Sequence, residues 1–303
     1  MSGSGFHAGF VTVVGRPNVG KSTLVNHLVG QKVAIVSDKP QTTRNRILAV
    51  CNRPQAQLVL VDTPGIHKPM HTMNKRMVDT ATKSIGQGDV VLWLSDVSER
   101  FGPGERYVAD ILKKSSLPVI LGLNKIDLVR DKKLLLPIIE TYGRLMDFAE
   151  VIPLSAHTGE NVDRLEALLI AHLPEGEKLY PDDFLTDLPE RFFVSEMIRE
   201  RILRKTREEL PYTTGVVVES FKEDGELVRI EATILVERDN QKGILIGKGG
   251  SMLKAIGSEA RQDIEAFLGA RVYLGLFVKV KENWRESADI LQQMGLASGR
   301  ADE

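Results

Sequence analysis

Cysteine, net charge and long apolar runs are all scarce in this sequence, and each absence excludes a class of protein. Its 303 residues include one cysteine, Cys51, which excludes an internal disulfide framework and a multi-cysteine metal site and suits a reducing cytosol. The formal net charge is −1, so a nucleic-acid site must be a local patch. No apolar run approaches the roughly 20 residues that span a bilayer, and the start, MSGSGFHAGF, lacks the apolar core of a signal peptide. We therefore expect a cytoplasmic protein.

Strand-like and helix-like segments alternate through residues 1–173. Amphipathic stretches lie at 21–29, 105–113 and 161–173. Between them, short runs rich in β-branched residues indicate buried strands: FVTVV at 10–14, QLVLVD at 57–62, VVLWLSD at 90–96, VILGLNK at 119–125 and VIPLSA at 151–156. The alternation predicts an α/β domain with a mostly parallel, doubly wound sheet, which binds its ligand at the carboxyl ends of the strands.

The pattern changes after residue 173. Residues 174–190 contain three prolines and several acids without a period, so we predict a linker there. Beyond it, 191–303 predicts the order α-β-β-α-α-β, a smaller α+β domain.

GRPNVGKS at 15–22 matches the phosphate-loop pattern G-x-x-x-x-G-K-[ST], and it follows a predicted strand and precedes a predicted helix. Gly15 and Gly20 let the backbone wrap a phosphate chain, and the helix adds its positive N-terminal end. Lys21 is expected to reach the terminal phosphates, and the Ser22 hydroxyl to bind Mg²⁺. The residues expected to contact the nucleotide here are Gly15, Arg16, Pro17, Asn18, Val19, Gly20, Lys21, Ser22 and Thr23.

DTPG at 62–65 ends a second predicted strand. Asp62 is expected to hold Mg²⁺, directly or through water, and the Gly65 amide to meet a γ-phosphate. Thr63 and Pro64 complete this loop, which we place with the nucleotide site.

NKID at 124–127 and SA at 155–156 end two further strands and predict guanine recognition. The Asp127 carboxylate can accept two hydrogen bonds from guanine, whereas adenine would leave it partly unpaired, at a cost of about 1–3 kcal/mol. Asn124 is expected to tie this loop to the phosphate loop, the Lys125 stem to cover the purine, and the amide of Ala156, after Ser155, to meet the guanine O6. The four motifs in this order resemble the translation-associated GTPase superfamily.

QTTRNR at 41–46 lies where such a GTPase has its first switch, in which one threonine binds Mg²⁺ only when a γ-phosphate is present. The residues leave Thr42 and Thr43 as alternatives, and similarity to bacterial GTPases favours Thr43. Directly after DTPG, many signalling GTPases carry a glutamine that orients water, but this chain has Ile66. Unaided hydrolysis is therefore expected to be slow, about 10⁻⁴ to 10⁻² s⁻¹.

The resemblance also suggests how the missing glutamine is replaced. In GTPases with a hydrophobic residue at this position, an asparagine placed like Asn18 helps to hold K⁺ against the phosphates, and the cation supplies charge there. Lys21, Thr43, Gly65 and Asn18 are accordingly the expected catalytic group, with Mg²⁺ bound by Ser22, Thr43 and Asp62.

Two other residue types invite a metal or redox interpretation. His67 and His71 have the i, i+4 spacing of a zinc pair, but nearby prolines disfavour a helix and no third ligand is evident, so a switch loop is favoured. Cys51 is expected to be a packed thiol near a strand.

GKGG at 247–250 lacks the K-[ST] ending of a phosphate loop. It fits the I-G-x-x-G loop of a KH module, which grips four nucleotides of single-stranded RNA. Alone, the pattern equally suits a helix–turn–helix corner, but the α-β-β-α-α-β order favours a type II KH domain, in which the glycines permit a sharp turn and a close approach of backbone to RNA. The predicted RNA contacts are Ile244, Ile246, Gly247, Lys248, Gly249, Gly250, Ser251 and Lys254. Of the apolar residues, Ile244, Ile246 and Leu253 are expected to form the floor of a groove for bases.

Two basic stretches are further RNA candidates. IRERILRKTREEL at 198–210 contains five basic residues, although its interleaved acids suit a solvated helix face equally well. VKVKENWR at 278–285 brings Lys279, Lys281 and Arg285 near Trp284, for which a packed anchor is favoured over a base-stacking surface.

Taken together, GRPNVGKSTLVN, QTTRNRI, DTPGIHKP, NKID, YPDDFLTDLPERFFVSEMIRE and QKGILIGKGGSMLKAIG resemble the Era family over essentially the whole chain. The resemblance implies a monomeric cytoplasmic GTPase that uses GTP or GDP with Mg²⁺ and in part associates with the cytoplasmic face of the cell membrane. It also implies binding of the 3′ end of 16S ribosomal RNA by the KH domain and a role in 30S subunit maturation. Because a linker joins the two domains, we also predict that nucleotide state is coupled to RNA binding, with GTP favouring the RNA-competent arrangement and GDP an occluded one.

Other readings remain open from the residues. A P-loop ATPase or small-molecule kinase is opposed by NKID, and a non-catalytic RNA-binding scaffold is favoured only by Ile66. The single set of nucleotide motifs excludes a tandem-GTPase factor. A tRNA-modifying relative is disfavoured because no cysteine lies near the end of the chain.

Overall fold

The computed structural model describes residues 5–39, 41–69 and 72–296, and these residues form two compact units. Residues 77–187, with most of the chain before 70, form the first unit. The second unit consists of the described residues from 188 onward, with two short pieces at 37–39 and 72–76.

A six-stranded sheet organises the first unit. Its strands are β1 (His7–Val14), β2 (Ile47–Arg53), β3 (Ala56–Asp62), β4 (Val90–Asp96), β5 (Val119–Asn124) and β6 (Glu150–Pro153), in the spatial order β2-β3-β1-β4-β5-β6. β2 runs antiparallel to β3, and every other neighbouring pair is parallel. The predicted mostly parallel α/β sheet is therefore confirmed.

Helices cover both faces of this sheet. They are α1 (Lys21–Val29), α2 (Thr72–Ile85), α3 (Pro103–Leu112), α4 (Leu135–Gly143) and α5 (Val162–His172), with short 3₁₀ turns at Ile126–Leu128 and Lys132–Leu134. Alternate side chains of β4 enter opposite cores: Leu92 packs on the side of α1 and α5, and Trp93 on the side of α2 and α3. A strand that is buried on both faces needs a continuous apolar run, which VVLWL supplies.

The sequence analysis missed β2, which carries Cys51. The segment ILAVCNR has neither alternation nor a glycine turn, because both of its faces are covered and only Pro54 and Gln55 separate it from β3. Cys51 is buried, and its thiol donates to the Leu28 carbonyl at 3.2 Å, so the predicted packed thiol is confirmed. Burial raises the pKa of Cys51 to about 11.

Much of the predicted linker 174–190 packs on the first unit. The Val50 amide of β2 donates to the Leu185 carbonyl at 2.9 Å. The Gln57 side chain accepts hydrogen bonds from the Leu179 and Tyr180 amides at 2.8 and 2.9 Å. The division between the units thus falls near residue 187. The bounds 1–173 and 191–303 stay a prediction.

The second unit is built around a three-stranded sheet. Its helices are α6 (Glu190–Lys205), α7 (Leu210–Thr213), α8 (Asp239–Ile246), α9 (Ser251–Leu268) and α10 (Ala288–Gln293), with 3₁₀ turns at Lys248–Gly250 and Trp284–Glu286. Its strands are β7 (Gly215–Asp224), β8 (Leu227–Val236) and β9 (Arg271–Val280). β7 pairs antiparallel with β8, and β9 pairs parallel with β8, in the order β7-β8-β9. The predicted α+β domain is confirmed.

Candidate functional site

The phosphate loop links the carboxyl end of β1 to α1. Lys21, the first residue of α1, is buried, and its ammonium donates to the Arg16 carbonyl at 3.0 Å and to the Gly15 carbonyl at 3.4 Å. Burial lowers the pKa of Lys21 to about 8, and the nearby Asp62 carboxylate opposes this shift. The loop therefore holds its lysine folded back on the turn, near the open N-terminus of α1.

Three oxygens from separate elements converge beside this helix. The Ser22 hydroxyl donates to Asp62 Oδ2 at 2.6 Å, and Thr43 Oγ1 lies 2.7 Å from Ser22 Oγ and 3.4 Å from Asp62 Oδ2. The convergence favours Thr43 over Thr42 as the residue of the first switch that joins this cluster. Burial raises the pKa of Asp62, opposed chiefly by Lys21.

The cluster suits a hard cation. Asp62 Oδ1 is buried and has no hydrogen-bond partner within the described residues. Two hydroxyls and one carboxylate with a spare oxygen match the preference of Mg²⁺ for a few oxygen ligands together with waters and phosphate.

The DTPG loop lies against the phosphate loop. A Cβ added to Gly65 would stand 2.6 Å from the Pro17 amide nitrogen, so only glycine permits this backbone approach. The next residue, Ile66, donates its amide to the Gly15 carbonyl at 2.9 Å. Its side chain is fully buried in the core on the α2 and α3 side of the sheet. Ile66 is thus an anchor of the loop, and its side chain offers no polar group to a water.

Asn124 joins the two halves of the site, as predicted for it from the sequence. Its amide nitrogen donates to the Val19 carbonyl of the phosphate loop at 2.7 Å, and its Oδ1 accepts from the Ala156 amide at 2.8 Å. The residue is buried at the end of β5, so one side chain fixes the phosphate loop and the SA loop together.

The other residues of the NKID and SA loops lie around the exposed carboxylate of Asp127. Asp127 is exposed at the start of the 3₁₀ turn, and the Ser155 hydroxyl donates to its Oδ1 at 2.6 Å. Lys125 has a left-handed backbone, and its ammonium pairs with Asp96 Oδ2 at 2.5 Å, which leaves its stem alongside the loop. Ser155 and Lys125 therefore orient this loop before any base arrives.

Sequence reasoning missed the partner of Arg16. The Arg16 guanidinium donates to Glu105 Oε1 at 2.7 Å, and Glu105 Oε2 accepts from the Gly102 amide at 3.0 Å at the start of α3. Glu105 is buried. It thus holds the phosphate loop against α3 while capping that helix. The sequence gives only a weak indication of this contact. GPGE before an amphipathic run predicts where a helix begins, but it does not predict that Glu105 contacts Arg16.

The GKGG loop connects α8 to α9 in the second unit. Gly247 has φ 73° and ψ 174°, and a Cβ there would lie 2.9 Å from the Met252 amide nitrogen, so the close turn requires glycine. Lys248, Gly249 and Ser251 are exposed at the turn, and Lys254 is exposed one helical turn further on. The loop therefore offers bare backbone and positive charge on one side.

An open cavity of about 440 Å³ runs beside the loop. Leu253, Leu274 and Leu276 supply its apolar lining, and Lys254 and Arg261 its charge. Of the predicted apolar contacts, Leu253 lies in this groove. Ile244 is 53% exposed, and neither it nor Ile246 is among the residues that line the cavity. The β9 leucines were missed because their alternation indicates only a half-buried strand.

The basic residues of the first stretch, 198–210, are largely held in ion pairs. In α6, Arg199 is buried and pairs with Glu196, and Arg201 pairs with Asp263 at 2.6 Å. Lys205 pairs with Glu259 at 2.5 Å. This helix is therefore neither a basic RNA surface nor a simply solvated face.

Trp284 is fully buried, and its indole nitrogen donates to the Thr213 carbonyl at 2.9 Å, as the packed-anchor interpretation predicts. Its neighbour Arg285 pairs with Glu237 at 2.7 Å.

The histidines form no metal site in the described part of the chain. The His67 ring contacts the Gly65 carbonyl at 3.0 Å, and His71 lies outside the described residues. Within those residues, no group of three or more His, Cys, Asp or Glu side chains is arranged to hold a metal ion. No described helix has both the length and the apolar character to cross a membrane.

A phosphate loop, a switch threonine, a DTPG loop and a guanine loop at the carboxyl edge of one sheet define a P-loop GTPase domain, here followed by a KH domain. The family model described as "50S ribosome-binding GTPase" matches residues 10–125, and the KH domain model matches 209–285.

Curated relatives match along nearly the whole chain. GTPase Era of Trichlorobacter lovleyi is 52% identical over 97% of this chain and 99% of that protein, and GTPase Era of Staphylococcus haemolyticus is 51% identical over 95% and 96%. The chain belongs to the Era family of GTPases, which confirms the resemblance and sets aside the ATPase, kinase and non-catalytic alternatives.

Two solved structures of Era proteins have the same fold as this chain. A crystal structure of Era with MgGDPNP and nucleotides 1506–1542 of 16S ribosomal RNA has a TM-score of 0.94 at 40% identity, covering 96% of this chain and 99% of that one. A variant of Aquifex aeolicus Era bound to GDP·AlF₄⁻ has a TM-score of 0.92 at 40% identity, covering 96% and 100%.

Proposed function

We propose that this GTPase binds GTP·Mg²⁺ with the loops described above and uses the bound state to control RNA binding by its KH domain. The observation that carries the proposal is the convergence of Ser22, Thr43 and Asp62 beside the phosphate loop, with Asp62 Oδ1 buried and unpaired among the described residues. When bound, Mg²⁺ neutralises phosphate charge that the protein would otherwise have to offset alone.

The remaining nucleotide contacts follow from the same geometry. Lys21 moves from its present carbonyl partners to the terminal phosphates, and the Gly65 amide meets the γ-phosphate. Asp127, held by Ser155, accepts the guanine hydrogen bonds. The Ala156 amide, which donates to Asn124 Oδ1 in this structure, exchanges that acceptor for O6 when the base binds. The assignment includes all the phosphate-loop, DTPG, NKID and SA residues named in the sequence analysis.

Hydrolysis is proposed to be slow without a stimulus. The Ile66 side chain is buried in the core, so it cannot orient the attacking water. Asn18, which has a left-handed backbone at φ 64°, is the residue proposed to help hold K⁺. Turnover should therefore be several-fold faster in K⁺ than in Na⁺ at equal ionic strength, and the difference should vanish in Asn18→Ala. Equal rates in both salts would contradict this role.

The base assignment is tested by Asp127→Asn. The amide donates where the carboxylate accepts, so we expect GTP affinity to fall at least tenfold while affinity for xanthosine triphosphate rises, since a charge-assisted hydrogen bond is worth about 1.5–3 kcal/mol. Ser155→Ala is the comparison variant: it frees the carboxylate and removes the acceptor of the Thr158 amide, but it leaves Asp127 able to accept from guanine and should keep the preference for GTP. Unchanged preference in Asp127→Asn would overturn the assignment.

The KH domain is proposed to bind the 3′ end of 16S ribosomal RNA and so to assist 30S subunit maturation. Support comes from the exposed GKGG loop and its groove in this chain, and from the similar Era structure that contains nucleotides 1506–1542. The proposed contacts are those of the GKGG loop with Ser251 and Lys254, extended to the groove leucines.

Gly249 offers a clean test of the clamp. It has φ 59°, and no atom lies within 4 Å of an added Cβ, so Asp and Asn both fit there. We expect Gly249→Asp to lose binding to a 16S 3′-end oligonucleotide and Gly249→Asn to keep most of it, measured by fluorescence anisotropy. Equal affinities of the two variants would contradict a phosphate contact at this loop.

The cellular setting is proposed from family membership alone. We propose a monomeric cytoplasmic protein that in part associates with the surface of the cell membrane. Light scattering would measure the mass in solution, and co-sedimentation with anionic vesicles, compared with neutral ones, would measure membrane binding.

A further inference from the structure

The outer face of the KH sheet carries two exposed aromatic rings that the groove does not use. Tyr273 and Phe277 on β9 are 52% and 59% exposed. They point away from the groove, because side chains alternate along a strand and Leu274 and Leu276 of the same strand line the cavity. Gly275 lies between the two rings on this strand, and the side chain of its β8 neighbour Glu231 lies beside it, with Cγ 3.6 Å from a Cβ added to Gly275. We call these residues, with their charged neighbours, the aromatic face.

The charges around the rings are mainly positive. In the sheet register, Arg229 of β8 lies beside Tyr273, with its Cζ 5.8 Å from the ring centroid, and Lys222 of β7 lies beside Arg229. Arg271 and Lys279 lie at the two ends of β9, both exposed. The acids of the same face are Asp224, which pairs with Arg229 at 3.1 Å, and Glu231. This face therefore has four cationic and two anionic side chains, whereas the net charge of the whole chain is −1.

The aromatic face is continuous with the groove around one strand. β9 forms the edge of the sheet, with its leucines toward the groove and its aromatic rings on the opposite side. A flexible chain that leaves the groove therefore needs to pass only this single strand to reach Tyr273 and Phe277. The two rings are four residues apart, about 13 Å along a strand, which is far enough for each to stack a separate base.

We propose that the aromatic face is a second binding site for single-stranded RNA, which stacks bases of the strand that continues out of the groove. The proposal rests on RNA binding by the GKGG loop and extends it. Exposed rings flanked by cations match the chemistry of single-strand binding, in which bases stack on aromatic side chains and the backbone meets Lys and Arg. A protein-docking surface would instead need a wider apolar area around the rings, whereas here Arg229 and Glu231 lie around Tyr273 and the β8 neighbour of Phe277 is Thr233.

The test uses two RNAs and matched variants of the full chain. One RNA has about five nucleotides, enough for the four that a KH loop grips, and the other adds an unstructured adenine-rich extension to about fifteen. The face variant is Tyr273→Thr with Phe277→Thr, since threonine keeps the strand propensity of these exposed positions. Leu136→Ser, at an exposed leucine of the first unit, is the control for loss of apolar surface.

We expect the wild-type chain to bind the long RNA about tenfold or more tighter than the short one, because base stacking on aromatic rings is sequence-tolerant and strong. The face variant should bind both RNAs with the affinity of the short one, and Leu136→Ser should behave as wild type. Lys279→Ala should lose part of the gain, and Glu231→Gln should increase it. A 4-thiouridine in the extension should cross-link to residues 271–281.

Two results would overturn the proposal: an extension that adds no affinity to the wild-type chain, or a face variant that keeps the full gain. An equal loss for both RNAs in the face variant would also overturn it, since the groove would then account for the effect. Failure of the groove assignment looks different, because the wild-type chain would not bind the short RNA, or Gly249→Asp would bind it normally.

Discussion

Asp62 lies where it can bind a ligand, but its buried carboxylate destabilises the protein when no ligand is bound. Its carboxylate is buried, one oxygen is satisfied by Ser22 and Thr43, and the other has no partner among the described residues. Burial raises the pKa of Asp62, and Lys21 with the hydrogen bonds from Ser22 and Thr43 opposes this shift. A buried, half-satisfied carboxylate destabilises the fold, and the proposed Mg²⁺ would relieve that cost.

Cys51 gives a prediction at the same scale. Burial raises the pKa of its thiol to about 11, and the thiolate is the reactive species. We expect the native protein to resist iodoacetamide at pH 8 and to be alkylated quickly in denaturant, measured by mass spectrometry of the intact chain. Nucleotide affinity should be unaffected by the reagent under native conditions. Rapid labelling of the native protein would contradict the burial of this thiol.

At the scale of secondary-structure elements, the Arg16–Glu105 pair shows how the end of one helix can position a loop that belongs to a different part of the fold. The N-terminus of α3 holds Glu105, which accepts from Arg16 at 2.7 Å, and the Arg16 carbonyl in turn accepts from Lys21. α3 thus supports the phosphate loop from a position 89 residues later in the chain. Glu105 is a positioning residue that acts on nucleotide binding through Arg16.

This arrangement predicts the effect of Glu105→Ala. Removal of the carboxylate leaves Arg16 without its buried partner, and a hydrogen bond to a charged group is worth about 1.5–3 kcal/mol. We expect GDP affinity to fall about tenfold, measured with a fluorescent GDP analogue. Glu105→Gln is the matched control, since it keeps the shape and an acceptor and should lose less. Equal affinities of wild type and Glu105→Ala would show that α3 does not support the loop.

The same scale explains what the sequence could and could not predict. Glycine, lysine and asparagine at strand ends carry their own signal, because the chemistry of phosphate and guanine demands those types at those spacings. The pairing of Arg16 with Glu105 carries no such signal, since it depends on how two distant elements meet. β2 was missed for a related reason: burial on both faces removed the alternation that predicts a strand.

The prediction for the charged residues of α6 used only the sequence of that helix and the residues next to it. Arg201 and Lys205 belong to ion pairs with α9, and no rule within 198–210 reveals partners at 259 and 263. By contrast, the GKGG loop could be placed from sequence because its glycines stand between two predicted helices. Local patterns therefore predicted the loops of both candidate sites, whereas the role of the α6 charges depends on tertiary contacts.

At the scale of the whole molecule, two loops of one chain are proposed to bind two ligands, and thermodynamics constrains any coupling between them. If the GTP-bound state favours RNA binding by some factor, RNA must favour the GTP analogue by the same factor. We predict that a non-hydrolysable GTP analogue raises affinity for the 16S 3′-end oligonucleotide above that in GDP. The reciprocal titration should give an equal ratio.

Calorimetric titrations in both directions measure this coupling. The Gly249→Asp variant is the control, because it should bind both nucleotides normally while the RNA arm is lost. Identical RNA affinities in GDP and in the analogue would show that the two sites act independently.

The packing of 174–187 on β2 has a further consequence for the solubility of the first unit. β2 is an outer strand of the six-stranded sheet, and unpaired amides on such a strand invite other chains to add to it and begin aggregation. The Val50 amide of this row donates to the Leu185 carbonyl, and the Asn52 side chain donates to the Asp182 carbonyl at 3.0 Å, so the stretch covers part of the edge. We therefore expect the stretch that leads to the KH unit to protect the sheet from self-association, and a chain cut at residue 173 to lose that protection.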